Sequence, residues 1–214
     1  MNTINYKKIN LYHLKLENLI FNEKKNHFMS KIYYEENGQK TKLLIKSPNL
    51  KLISVNKTKN KIYLELEFLE QYPDFYFLVN GIDNYFIDYL SQNSQDFFGQ
   101  KCKNKTLENL FVRTIKIPKK ITTKPTFSVL LDDKHEMVDK LNKKININDL
   151  EEGNNIILDL FFEKLVLKEN KYYISVRTNN IILDYSCLNQ HDYNFSDSDS
   201  FNTDTEIEFI DSIK

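Results

Sequence analysis

The segment Lys61-Ile62-Tyr63-Leu64-Glu65-Leu66-Glu67-Phe68 alternates polar with apolar positions at a period of two, the pattern of a half-buried strand. Upstream, Phe28 to Tyr34 and Thr41 to Ile45 are rich in β-formers and flank Glu35-Glu36-Asn37-Gly38. Asn-Gly tolerates positive φ at both positions and so predicts a tight hairpin, within a β-meander from about Leu11 to Phe68. The period then changes. Ile82, Tyr85, Phe86, Tyr89 and Leu90 fall at helical spacing, with Asp83, Asn84 and Asp88 off the stripe. This predicts a helix from near Ile82 to Asn93, stopped at Asp96-Phe97-Phe98-Gly99, then a short helix from Thr106 to Phe111 with Thr106 as its cap.

After Pro118 and Pro125 the strand pattern returns, over Thr126 to Leu131, Asn155 to Val166, Tyr172 to Val176 and Asn180 to Tyr185, with a turn from Asn148 ending at Gly153. About five strands around one or two helices predict a mainly β, α+β fold, a small barrel or sandwich with helical insertions. Residues 1–70 read as an N-terminal meander in or beside the core, 71–190 as the helix and β core, and 191–214 as a tail. The stretch from Tyr193 to Asp204 is rich in Ser, Asn and Asp and poor in aliphatics, so disorder is expected there. Apolar residues return from Ile207 to Ile213, as in a short docking motif.

Charge changes this picture. The 30 basic and 30 acidic side chains balance over the whole chain. Residues 192–214 hold seven acids and one base, however, which leaves 29 bases and 23 acids in the body, a net of +6. The span from Lys101 to Lys124 carries eight cations against Glu108 alone, the kind of patch that neutralises phosphates. Lysine outnumbers arginine so heavily, with only Arg113 and Arg177 present, that biased codon usage is an equal account of it. Adjacent Tyr172 and Tyr173 must point to opposite faces of a strand, so one of them is a candidate for stacking on bases. Core packing is the plainer role for any single aromatic, Phe97-Phe98 and Phe161-Phe162 included.

Other chemistry finds little support. Four glycines and no GxxxxGK or GxGxxG argue against a phosphate cradle. His13, His27, His135 and His191 are scattered, and Asp132, Asp133, His135 and Glu136 read as a solvated hairpin tip rather than metal ligands. No nucleophile has an identifiable base, so neither an enzyme nor a cofactor is expected. Cys102 and Cys187 are too few for a disulfide scaffold, and no signal peptide or long apolar stretch is visible. An intracellular, non-secreted protein is expected.

The order Ile87-Asp88-Tyr89, Ser94-Gln95-Asp96-Phe97-Phe98-Gly99-Gln100-Lys101, Ile115-Lys116-Ile117-Pro118, Lys124-Pro125-Thr126-Phe127-Ser128-Val129 and Asp149-Leu150-Glu151-Glu152-Gly153, with a closing strand pair, spans residues 82–185. It resembles a poorly characterised family from nucleocytoplasmic large DNA viruses, related to viral single-stranded DNA-binding proteins with an OB-type barrel. Where that family carries Trp and Gly in the last strands, this chain has Tyr172-Tyr173-Ile174-Ser175-Val176-Arg177.

The resemblance implies non-sequence-specific binding of single-stranded DNA or RNA in viral replication or recombination, in the host cytoplasm or a viral factory. The expected contacts are Lys103, Arg113, Lys116, Lys119, Lys120 and Arg177, with Tyr172 or Tyr173 stacking on bases. The acidic tail, through Phe201, Glu206, Glu208, Phe209 and Asp211, is expected to compete for the groove and recruit replication proteins. A homo-oligomer is compatible with this reading. The alternative is a viral structural or assembly protein whose tail and edge strands meet other proteins without nucleic acid.

Overall fold

The computed structural model of the chain describes residues 3–118 and 124–185. Its first strands are β1 (Ile4–Asn5), β2 (Leu14–Leu16), β3 (Ile20–Asn22), β4 (His27–Glu36), β5 (Gln39–Lys42) and β6 (Leu44–Lys46). They are followed by β7 (Leu50–Thr58), β8 (Lys61–Phe68), α1 (Pro73–Gln92), α2 (Ser94–Phe98), α3 (Asn104–Leu110), β9 (Phe111–Val112) and β10 (Ile115–Lys116). Three long strands complete the fold: β11 (Thr126–Asp139), β12 (Asn155–Lys168) and β13 (Lys171–Asp184).

Five strands close on themselves. β7 pairs β8, β8 pairs β11, β11 pairs β13, β13 pairs β12, and β12 returns to β7. Counted along the chain the ring runs first, second, third, fifth, fourth, with the third and fifth parallel and the other pairs antiparallel. That is a five-stranded OB-type barrel, and closure rather than a sandwich removes the free edges. β7 and β8, which the sequence places in the N-terminal meander, are therefore barrel strands. Bulges at Leu52/Ser54, Leu131/Glu136, Leu158/Leu160 and Phe162/Lys164 let the strands bend around it.

Alternation fills the barrel. Leu64 and Leu66 of β8, Phe127 and Val129 of β11, Leu158, Leu160 and Phe162 of β12, and Ile181 and Leu183 of β13 are all fully buried. Their neighbours in sequence point out, except Asp184 at the end of β13, which is buried. The Asn37-Gly38 hairpin forms as predicted, with both residues at positive φ (51° and 75°), joining β4 to β5.

The chain between β8 and β11 holds the helices. α1 begins at Pro73, nine residues before the expected start, because proline fits a helix's first turn and Phe75 and Val79 extend the buried stripe through Ile82, Phe86 and Leu90. α3 starts at Asn104 behind Lys103, so Thr106 lies within it and is not its cap. The two strands expected over Tyr172 to Val176 and Asn180 to Tyr185 are one, β13, since Thr178 turns inward and its hydroxyl donates to the Asn180 carbonyl. The Asp132 to Glu136 stretch is not a hairpin tip but the bulged middle of β11. Among the described residues, no three of His, Cys, Asp and Glu gather as a metal site would require. No helix there is long and apolar enough to cross a membrane.

Asp83, expected off the apolar stripe, is fully buried on α1. It accepts hydrogen bonds from the Thr114 amide and hydroxyl, both at 2.7 Å, which fasten the β9–β10 turn to the helix. Burial pushes its pKa up to about 6; the two Thr114 bonds and the Arg113 charge offset only part of that. Between its unfolded value near 3.8 and about 6, the folded carboxyl keeps a proton that the unfolded one has lost. Stability conferred at low pH is thus lost as pH rises through that window, and the curve is flat above it. The difference in unfolding free energy between wild type and Asp83→Asn is expected to change by about 2 to 3 kcal/mol from pH 4 to pH 7, read by urea denaturation. A constant difference would show that the carboxyl ionises normally.

Candidate nucleic-acid interface

The outward positions of the barrel make one continuous surface. Tyr63 stands opposite Leu130, and Glu65 opposite Ser128. Leu130 neighbours Arg177, Ser175 faces Lys164, and Tyr173 faces Val166. Lys164 reaches this surface through the bulge at Glu163: pairing steps from Phe162 with Val176 to Lys164 with Ser175, so Phe162 points inward and Lys164 outward. The result is a cleft of about 270 Å³ whose lining includes Lys25, Lys61, Tyr63, Lys164, Tyr173 and Arg177.

Tyr63 and Tyr173 are its two phenol rings, with the His27 imidazole also in the lining. Burial raises the Tyr173 pKa; the Lys168 charge lowers it, and Tyr63 and Glu169 add to the rise. Tyr173 is therefore a neutral phenol at physiological pH, able to stack on a base with no phenolate to repel a phosphate. The rim is basic at both ends of the strands, with exposed Lys59 and Lys61 at the β7–β8 turn and exposed Lys168 and Lys171 at the β12–β13 turn. In OB barrels the face of the second and third strands, flanked by these two turns, is where oligonucleotides lie.

Carboxylates on the face are held in pairs. Burial alone would raise the Glu65 carboxyl, but bonds from Ser128, Lys116 and Thr126 and the Lys116 charge hold it below the ordinary value. The Lys116 ammonium lies 2.9 Å from Glu65 and also donates to Ser128. Glu163 takes Lys164 at 3.0 Å and the Arg177 Nε at 2.7 Å, while Asp132 lies 3.5 Å from the Arg177 fork. The Arg177 Nε is close to Glu163 but makes no aligned hydrogen bond, so charge rather than geometry holds the pair. Among the described residues, nine cations (Lys25, Lys59, Lys61, Lys116, Lys124, Lys164, Lys168, Lys171, Arg177) against five carboxylates (Glu65, Glu67, Asp132, Glu163, Glu169) leave an excess of four positive charges.

Of the residues singled out from sequence, the structure brings Lys116, Tyr173 and Arg177 to this face. Tyr172 is corrected: it points into the core, 7% exposed, with its ring 5.5 Å from Phe98. Lys103 and Arg113 belong instead to the helical side. Lys103 precedes α3, whose Asn104 bonds Asp88 of α1, and Arg113 is taken up by Asn84 of α1 and by Glu108 at 3.0 Å. Lys119, Lys120 and the tail residues Phe201, Glu206, Glu208, Phe209 and Asp211 lie outside the described residues. Sequence reasoning missed Tyr63, although it shares the polar side of its strand with Lys61 and Glu65. It also missed Lys164, whose direction depends on a bulge.

No family model matches the chain, and no curated protein matches it. Among solved structures it is similar to a C-terminally truncated single-stranded DNA-binding protein of bacteriophage Enc34, at 10% identity and a TM-score of 0.45 over 78% of this chain and 94% of that one. The same phage protein in complex with single-stranded DNA is similar at 11% identity and a TM-score of 0.40, over 78% and 95%. The bacteriophage T7 single-stranded DNA-binding protein gp2.5 is similar at 10% identity and a TM-score of 0.40, over 67% and 87%. The OB assignment itself rests on this chain's own strand pairing.

Proposed function

We propose that the protein binds single-stranded nucleic acid without sequence preference, across the outer face of β8, β11 and β13. The observation that supports this is the cleft itself: Tyr63 and Tyr173 lie in it among Lys25, Lys61, Lys164 and Arg177 on an OB-type barrel. Rings stack on any base because every base has a π-face, and the surrounding cations follow the backbone without reading sequence. Stacking and backbone neutralisation act on strands of any sequence, so a role in replication or recombination, where such strands are covered, suits the cleft best. The acidic residues after position 191 are proposed to compete for the same cations. The test is titration of a fluorescent oligothymidine and of a duplex of equal length into the full chain. Tighter binding of the single strand is expected, since bases inside a duplex cannot reach the tyrosines. Equal affinity for both would leave only a nonspecific cationic surface.

A further inference from the structure

The outer surface does not end at the barrel. From Lys164 to Leu167, β12 is paired on both edges, with β13 on one side and β4 on the other. Lys164 therefore stands beside Ser175 of the barrel and Lys31 of the N-terminal hairpin at once, and the surface runs on to β5, where Tyr33 faces Lys42. A second cleft, of about 490 Å³, opens there.

Its construction repeats the first with other rings and other lysines, Lys164 lining both. Two rings line it, each with an ammonium above: Lys40 Nζ lies 4.5 Å from the Tyr33 centroid and Lys42 Nζ 5.5 Å from that of Phe161. Among the described residues no carboxylate comes within ion-pair distance of Lys40 or Lys42. Lys31 is paired with Glu17 at 3.6 Å between two exposed side chains, a contact that an arriving phosphate readily displaces. Counting strand steps from β8 through β11, β13, β12 and β4 to β5, the combined surface spans about 24 Å at ~4.8 Å per step.

We propose that the β4–β5 hairpin, together with Phe161 of the adjoining β12, forms a second subsite for the same single strand, with Tyr33 and Phe161 as stacking surfaces and Lys31, Lys40 and Lys42 as phosphate contacts, joined to the barrel face over Lys164. The proposal rests on the reading of the barrel face as a nucleic-acid interface. A strand crossing Lys164 exchanges each lysine–ring contact for a base on the ring and a phosphate on the ammonium. The hairpin lies outside the five barrel strands, so it lengthens the site without altering the barrel.

The test uses oligothymidines of about 5 and about 16 nucleotides, near the ends of the range covered by one OB fold. Each is titrated into the full chain as wild type, Lys40→Ala/Lys42→Ala, and Tyr173→Ala. Lys40 and Lys42 are exposed at a hairpin, so their removal leaves the core intact. For the long strand the double lysine variant is expected to make the log-affinity against log-salt slope shallower by about 1.4, two phosphates at about 0.7 each. For the short strand that slope is expected to be unchanged, whereas Tyr173→Ala weakens both lengths. A wild-type slope for the long strand in the double variant overturns the second subsite and leaves the barrel face standing. Equal weakening of both lengths by the lysine changes overturns the division into two subsites. Absence of wild-type binding at either length overturns the barrel-face reading as well.

Discussion

Replacing both Tyr63 and Tyr173 by alanine is expected to weaken oligothymidine binding by at least about 30-fold while leaving the fold intact. Each base stacked on an aromatic contributes roughly 1 to 3 kcal/mol. The two rings line one cleft, so their effects need not add, and the lower bound takes about 1 kcal/mol from each. Both side chains are only half-buried and lie on the outer side of the barrel, so little core packing is lost with them. Tyr172→Ala is the contrasting change. That ring lies inward against Phe98, so its removal lowers stability and should leave the affinity of the remaining folded protein near wild type. The opposite ranking of the two tyrosines would mean that the face has been assigned to the wrong side of β13.

The largest effect on stability is expected at Phe127. It is fully buried on β11, with its ring 4.9 Å from Phe68 and 6.4 Å from Phe75. Phe68 ends β8 and Phe75 opens α1, so this one side chain joins two barrel strands to the helix inserted between them. Phe127→Ala removes a large ring where close packing on every side restricts collapse, and a loss of about 3 to 5 kcal/mol follows. Chemical denaturation read by far-ultraviolet circular dichroism checks it. A loss below about 1 kcal/mol would show that α1 packs independently of the barrel.

Much of this architecture is legible in the sequence where local chemistry decides it. Asn37-Gly38 fixes a hairpin because two consecutive positive φ values suit few other pairs. The period of two in β8 already separates Tyr63, Glu65 and Glu67 from Leu64 and Leu66. The start of α1 is hidden because Asn80 and Gly81 are poor helix formers. Gly81 is tolerated there because Leu11 packs so closely that a Cβ would lie 3.1 Å from it. β13 looks broken because Arg177-Thr178-Asn179-Asn180 is polar, yet the Thr178 hydroxyl satisfies itself on its own strand and the chain continues.

The site was less legible than the fold. The lysines between 101 and 124 are close in sequence, but α1 draws Arg113 away from the face while Lys116 reaches it through Glu65. Lys61 and Lys164 come together only because the barrel closes and β12 bulges at Glu163, and neither event has a local signature. Charge density along the chain therefore anticipates a cationic surface but only some of the residues that form it.

The central claim is most directly tested by titrating a fluorescent oligothymidine of about 5 nucleotides, short enough to occupy the barrel face alone, into the full-length protein at about 50 mM and about 200 mM salt. An excess of four cations on the face corresponds to a log–log slope near −2.8, so affinity should fall roughly 50-fold between the two conditions. Binding at low salt with a loss of that order is the result the barrel face predicts. No binding at about 50 mM salt, or an affinity unchanged at about 200 mM, would contradict it.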